Sequence, residues 1–204
     1  MIELLADDFV NYYRSEEAKQ VLTFLDEKKK FFTMVFGEES IDSVKPEHLN
    51  DVFGMLSTAG WRQILEAVLN KYGFESVVEH VKYFLYGSEP LEIRFDTFFE
   101  RLPEVPQLAL MEVATFAQPK NFCIWDDAAK KTIIYIGHSR MHGLSETSFQ
   151  ETISGLDYVW ARFALNHVRQ ILSAYVSRKI DYVDVHLFTR FVYDRFVLKK
   201  FVNV

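Results

Sequence analysis

The segment LPEVPQLALMEVATFAQPKNFCIWD, residues 102–126, carries the most specific local pattern of the sequence. Pro103 disfavours the α conformation in the residue before it, so a preceding helix has to end there. Pro106 suits the first turn of a new helix of about three turns. Residues 122–125 show no helical period, and Asp126 is a natural N-cap. The segment therefore predicts two helices joined by a tight turn, then a short extended strand and a third helix.

Outside this segment, apolar residues recur at helical spacing along most of the chain. The chain has only 5 Pro and 8 Gly, which leaves little material for the turns of a many-stranded β fold. We predict an all-α protein of about eight or nine helices, forming a single helical unit over residues 1–204. A division into two subdomains, an acidic part over 1–87 and a part with basic C-terminal helices over 88–204, remains open.

The charge is distributed unevenly along the chain. The whole sequence has a formal net charge of −6, but residues 1–100 carry −9 and residues 101–204 carry +3. From Tyr158 onward there are 8 Lys and Arg against 3 Asp and Glu. The average argues against a general polyanion binder, whereas the basic C-terminal part does not.

The sequence also bears on the compartment. Cys123 is the only cysteine, so no disulfide can form within the chain. The start, MIELLADDFVNYY, is acidic and unlike a secretory signal. No uncharged apolar run approaches the ~18 residues of a membrane span. We expect a cytoplasmic protein with no membrane partner and no cofactor.

The stretch 102–126 resembles the core of the helix-hairpin-helix DNA glycosylase superfamily. In that family an L-P-G-V-G hairpin precedes a helix and then a catalytic Asp at a similar interval, as L-P-E-V-P and Asp126 do here. The segment YVDVHLFTRF, residues 182–191, is similar to the returning helix of divergent members. The resemblance covers about residues 90–196 and implies a helix-hairpin-helix DNA-glycosylase-like bundle with a role in DNA repair.

The resemblance also implies roles for individual residues. Asp126 would be the catalytic carboxylate, which stabilises developing positive charge or activates water when a flipped base leaves. Trp125 would wall the base pocket, because aromatic faces stack on extruded bases. Leu102 and Val105 would belong to the hairpin that contacts duplex DNA. Arg162 and Arg169, seven residues apart on one helix face, would extend this surface.

Three positions depart from the family pattern. Glu104 adds a negative charge to the hairpin and Pro106 removes an N–H donor, which weakens phosphate binding. Leu108 stands where bifunctional members carry a lysine, so only a monofunctional N-glycosylase-like hydrolase is implied. We therefore expect a DNA-binding protein with a degenerate hairpin, its activity left open. The alternative is a non-enzymatic interaction module or a homo-oligomer that associates through the aromatic C-terminal helix.

Ordinary structural roles compete with each of these assignments. The competing role for Asp126 is that of a helix cap, and the competing role for Trp125 is that of a core side chain. Asp184 belongs to the first turn of the last helix or is a second acid, and Lys28–Lys30 are expected to form a solvated helix end. His138 and His142 stand four residues apart, as in a helical metal site, but the flanking glycines favour a loop.

Overall fold

A computed structural model describes residues 2–57, 60–139, 143–176 and 178–198. Within these segments the protein is all-α, as predicted, with ten α-helices and no strand. The helices are α1 (Ile2–Tyr13), α2 (Glu16–Phe36), α3 (Pro46–Met55), α4 (Trp61–Tyr72), α5 (Phe74–Tyr86), α6 (Leu91–Arg101), α7 (Gln107–Ala117), α8 (Asp127–Tyr135), α9 (Gly155–Tyr175) and α10 (Tyr182–Val192).

The observed helix count in the described residues is one above the upper sequence estimate. The first apolar stripe divides at Ser15, whose side chain accepts a hydrogen bond from the Ala18 N–H and caps α2. Such a cap satisfies one of the free N–H groups at a helix start. Short 3₁₀ turns over Ile41–Ser43 and Thr147–Phe149 and one π turn over Tyr193–Val197 complete the described secondary structure.

Helix α7 lies at the centre of the molecule. Every residue from 109 to 117 is buried, including Glu112. Helix α2 packs along α7, with the Phe32 and Phe116 rings 5.7 Å apart. A helix that is apolar on nearly all sides has to be enclosed by others. Buried apolar side chains from all ten described helices join it in one core cluster.

The predicted short strand at residues 122–125 is wrong. This segment is irregular and buried, and no strand in the described residues pairs with it. The hydroxyl of Tyr158 accepts a hydrogen bond from the Cys123 N–H (3.2 Å) and donates one to the Cys123 carbonyl (2.9 Å). A single side chain thus satisfies backbone groups that would otherwise need a neighbouring strand.

Helices α6 and α9 approach each other closely at Gly155. A Cβ atom at this glycine would lie 2.1 Å from the carbonyl oxygen of Glu92. The Gly155 N–H donates a 2.6 Å hydrogen bond to Asp96. The absence of a side chain at this position is therefore a packing requirement.

A helix that crosses a membrane has to be long and apolar. None of the helices in 2–57, 60–139, 143–176 and 178–198 combines the length and the apolar character that a bilayer crossing needs.

Candidate nucleic-acid interface

The predicted hairpin, residues 102–106, offers few backbone donors. Leu102 is fully buried and Val105 is 7% exposed. The Val105 N–H donates to the Leu102 carbonyl at 3.1 Å, and Pro103 and Pro106 have no N–H. A phosphate cannot be held here by the row of backbone N–H groups that anion-binding loops present.

The hairpin also carries a negative charge. The carboxylate of Glu104 bonds to the Lys71 ammonium and accepts a 2.7 Å hydrogen bond from the Tyr72 hydroxyl. These two hydrogen bonds lower the pKa of Glu104 below its usual value, so the group is ionised at neutral pH. Because the Lys71 ammonium offsets this charge, the repulsion of a phosphate expected from the sequence stays a prediction.

Trp125 lies in the interior of the protein. Its side chain is 1% exposed, and its indole N–H donates a 2.6 Å hydrogen bond to the Ser148 carbonyl. The Phe149 ring lies 5.8 Å from it, centroid to centroid. A role for Trp125 as the wall of a base pocket would require residues 148–149 to move away from the ring.

The Asp126 carboxylate faces a backbone N–H at one oxygen and an arginine at the other, and only the first contact is a hydrogen bond. Oδ1 accepts a 2.9 Å hydrogen bond from the Ala129 N–H and caps α8, as predicted. Oδ2 lies 2.8 Å from the Arg190 guanidinium, and Asp126 is only 6% exposed. Arg190 therefore pairs with Asp126 rather than with Asp194, which lies four residues further along the chain. The catalytic role of Asp126 stays a prediction.

Arg162 and Arg169 reach the same turn, residues 118–121, from one face of α9. A guanidinium N–H of Arg162 donates to the Asn121 carbonyl at 3.1 Å, and one of Arg169 to the Lys120 carbonyl at 3.5 Å. Arg169 also lies 4.9 Å above the Tyr182 ring. Both arginines are partly exposed and hold the turn in place.

The turn forms one wall of an open groove of roughly 680 Å³, which we call the basic groove. Helix α2 forms the other wall. The groove is lined by Lys29, Lys30, Thr33, Met34 and residues 117–121. Lys30 and Lys120 are exposed. Sequence spacing could not group these two lysines, because 90 residues separate them along the chain.

Positive charge at the basic groove is poorly neutralised. Lys29 pairs with Asp26 at 3.3 Å and with Asp181 at 3.2 Å. Within the described part of the chain, no carboxylate lies within ion-pair distance of Lys30, Lys120, Arg162 or Arg169, although most other exposed cations have such partners. Lys30 and Lys120 therefore line the groove without a described carboxylate partner, and Arg162 and Arg169 bind the turn that forms one of its walls.

The predicted site residues do not form one cluster. The hairpin precedes α7 and the turn bound by Arg162 and Arg169 follows it. Since α7 has 11 residues, the two lie about 16 Å apart along its axis. The structure thus brings the two arginines together with two lysines that the sequence analysis missed, and separates them from Leu102 and Val105.

The prediction that Lys28–Lys30 form a solvated helix end is wrong. It lies inside α2, and Lys28 is only 3% exposed. Its ammonium binds the buried carboxylate of Glu112 and lies 4.5 Å from the centroid of the Phe116 ring. Glu112 also accepts a 2.7 Å hydrogen bond from the Ser57 hydroxyl. The ion pair thus joins α2 to the central helix.

The remaining candidate residues do not form a recognisable catalytic site. Asp184 is buried and binds Arg178 within the cap of α10, and burial raises the pKa of Asp184. His142 lies outside the described residues, and the His138 ring lies 5.1 Å from that of His167. The described segments contain no group of three or more side chains that could hold a metal ion.

Comparison with protein-family models, curated proteins and solved structures finds no significant match to this chain. Its function has to be argued from the described residues, and the resemblance to the helix-hairpin-helix glycosylases stays a prediction.

Proposed function

We propose that this protein binds DNA, with the phosphates contacting the basic groove and the neighbouring Arg162 and Arg169. The observation that carries this proposal is a set of four cations, Lys30 and Lys120 in the groove and Arg162 and Arg169 on the turn that forms its wall, with no described carboxylate at ion-pair distance. Such a surface attracts phosphate, because these four cations have no described carboxylate at ion-pair distance and only Lys29 in the groove is offset, by Asp26 and Asp181. Most binding energy of this kind comes from the release of counterions, so it depends steeply on salt.

This dependence can be measured with a labelled DNA by fluorescence anisotropy. With four phosphate contacts, log Kd should change by about 3 to 4 for each tenfold change in salt, so the affinity should fall roughly 100-fold between 50 and 200 mM salt. The double variant Lys30→Ala/Lys120→Ala should reduce this slope by about 2. Lysines are chosen because replacing Arg162 or Arg169 would also release the turn.

The matched control is Lys82→Ala/Lys131→Ala. Both of these lysines are partly exposed, pair with Asp42 and Asp127 and lie outside the groove, so the control removes the same formal charge elsewhere. It should leave the slope nearly unchanged. Equal losses in the two double variants would mean that only net charge matters, and absence of binding at 50 mM salt would contradict the proposal.

We further propose that binding takes place without base excision at Asp126. Support comes from the Ala129 N–H, which is hydrogen-bonded to Oδ1, and from Arg190, whose guanidinium forms an ion pair with Oδ2 without hydrogen-bond geometry. We expect no base release from damaged or mismatched duplexes. Asp126→Asn should bind DNA normally and lose about 1 kcal/mol of stability, because asparagine still caps α8 while the partly exposed ion pair is lost.

This point is tested by measuring base release, which is detected by cleaving the DNA strand at the abasic sites that release leaves. Release by the natural protein that disappears in Asp126→Asn, with binding intact, would establish Asp126 as a catalytic residue and overturn the second proposal. DNA binding without base release agrees with both proposals.

The alternative function, a non-enzymatic interaction module, also has a structural basis. Most of the aromatic C-terminal helix is buried against other helices of the same chain. The Phe188 and Phe191 rings pack on Phe9, at 5.3 and 5.6 Å between centroids. Helix α9 instead exposes Trp160 and Phe163, 37% and 49% accessible. This pair would be the contact surface if no DNA binding is found.

A further inference from the structure

The basic groove is lined by apolar side chains as well as by lysines. Met34 lines the groove and is 56% exposed, and Pro119 and Ala117 lie on the opposite wall. An intact duplex presents a convex row of phosphates to a protein and gains little from such a surface. An unpaired base exposes an apolar face, and a thioether packs favourably against aromatic rings.

The turn beside this surface is fixed before any ligand arrives. The Gln118 carbonyl accepts from the Asn121 N–H at 3.0 Å, and the Pro119 carbonyl from the Tyr182 N–H at 2.8 Å. The Lys120 and Asn121 carbonyls accept from the two arginines. All four carbonyl groups of the turn therefore have donors, and none is left as a free acceptor to repel a phosphate.

Cations and amides frame the apolar surface. Lys30 lies on α2, one helical turn before Met34, and Lys120 lies on the turn opposite, so both walls of the groove carry positive charge. The Asn121 amide donates one N–H to Gln118 at 2.7 Å and keeps a second N–H and its oxygen. These are the groups that a base edge can bind.

Resting on the proposed DNA binding, we propose that the basic groove takes an unpaired DNA strand, with a base packed on Met34 and the adjacent phosphates beside Lys30 and Lys120. The lysines favour a polyanionic ligand, and the apolar lining of the groove favours a polyanion that exposes planar faces. An acidic peptide would satisfy the lysines and leave Met34 without a matching group.

The experiment compares a labelled 12-nucleotide single strand with a blunt 12-base-pair duplex at the same salt concentration. The natural protein should bind the single strand about 10-fold more tightly. Met34→Ala should weaken single-strand binding about 5-fold and leave duplex binding unchanged, whereas Met34→Leu should retain most of the affinity. Ile134→Ala, at a position that is 53% exposed and outside the groove, is the matched control.

The outcomes separate this inference from the proposal on which it rests. If neither DNA binds, the proposed function itself fails. If both bind equally and Met34→Ala affects neither, the protein binds DNA but the single-strand inference is wrong. Displacement of the labelled strand by poly-glutamate as effectively as by unlabelled DNA, at equal charge, would show an acidic-peptide site and overturn the inference.

Discussion

Replacing Glu112 by leucine is expected to lower the free energy of unfolding by about 3 to 5 kcal/mol. The reason is the location of Lys28, whose side chain is only 3% exposed and has the Glu112 carboxylate as its ion-pair partner. Without that carboxylate, an ammonium group is left in an apolar interior between α2 and α7. Urea unfolding followed by circular dichroism measures the change.

The double variant Lys28→Met/Glu112→Leu should recover most of this loss. Exchanging a whole buried pair for apolar groups of similar volume is often neutral, whereas removing one partner is not. The control is Glu66→Leu, which breaks the exposed Arg62–Glu66 pair (2.9 Å) and should cost less than about 1 kcal/mol. A double variant as unstable as Glu112→Leu would show that packing rather than charge causes the loss.

A second large effect is expected for Gly155→Ala, which should destabilise the protein by about 3 kcal/mol. Helix propensity alone predicts the opposite sign, since alanine is better than glycine in a helix by about 1 kcal/mol. The added Cβ would lie 2.1 Å from the Glu92 carbonyl oxygen, a backbone atom that cannot move aside without separating α6 from α9. Thermal or urea unfolding reports the result.

Gly54→Ala provides a matched control for this substitution. Gly54 also lies in a helix, α3, but a Cβ there meets no atom within 4 Å. Propensity should therefore act alone and stabilise the protein by roughly 0.5 to 1 kcal/mol. If Gly155→Ala is equally well tolerated, the contact between α6 and α9 is not as close as described.

Helix boundaries were predictable wherever one local residue determines them. Pro103 ends α6, and Asp126 and Asp181 cap α8 and α10. These signals act within a few residues through backbone hydrogen bonds, so they are legible without knowledge of the fold. The predicted strand failed because a strand needs a partner, and here Tyr158, 35 residues away, satisfies Cys123 instead.

Charge partners were not predictable by the same means. Lys28 and Glu112 are 84 residues apart, and sequence spacing alone placed Lys28 on a solvated surface. Arg190 illustrates the same limit, because the nearest carboxylate along its helix is not its partner. Ion pairing depends on which helices pack together, and that information is not local.

The candidate interface was predicted only in part. The seven-residue spacing of Arg162 and Arg169 correctly indicated a shared helix face, since both reach the turn 118–121. The surface beside the two arginines could not be predicted from the sequence, because the groove is formed by α2 and by the turn after α7, which are distant along the chain. The hairpin, the most specific motif in the sequence, lies at the other end of α7 and carries the ionised Glu104.

The fully hydrogen-bonded turn at residues 118–121 has a consequence for kinetics. Its backbone carbonyls already have donors, so ligand binding does not have to order this loop. The association rate should then be set by diffusion and electrostatic steering, and it should fall with salt more than the dissociation rate rises. The encounter would proceed as rigid-body docking, with no slow rearrangement step on the protein side.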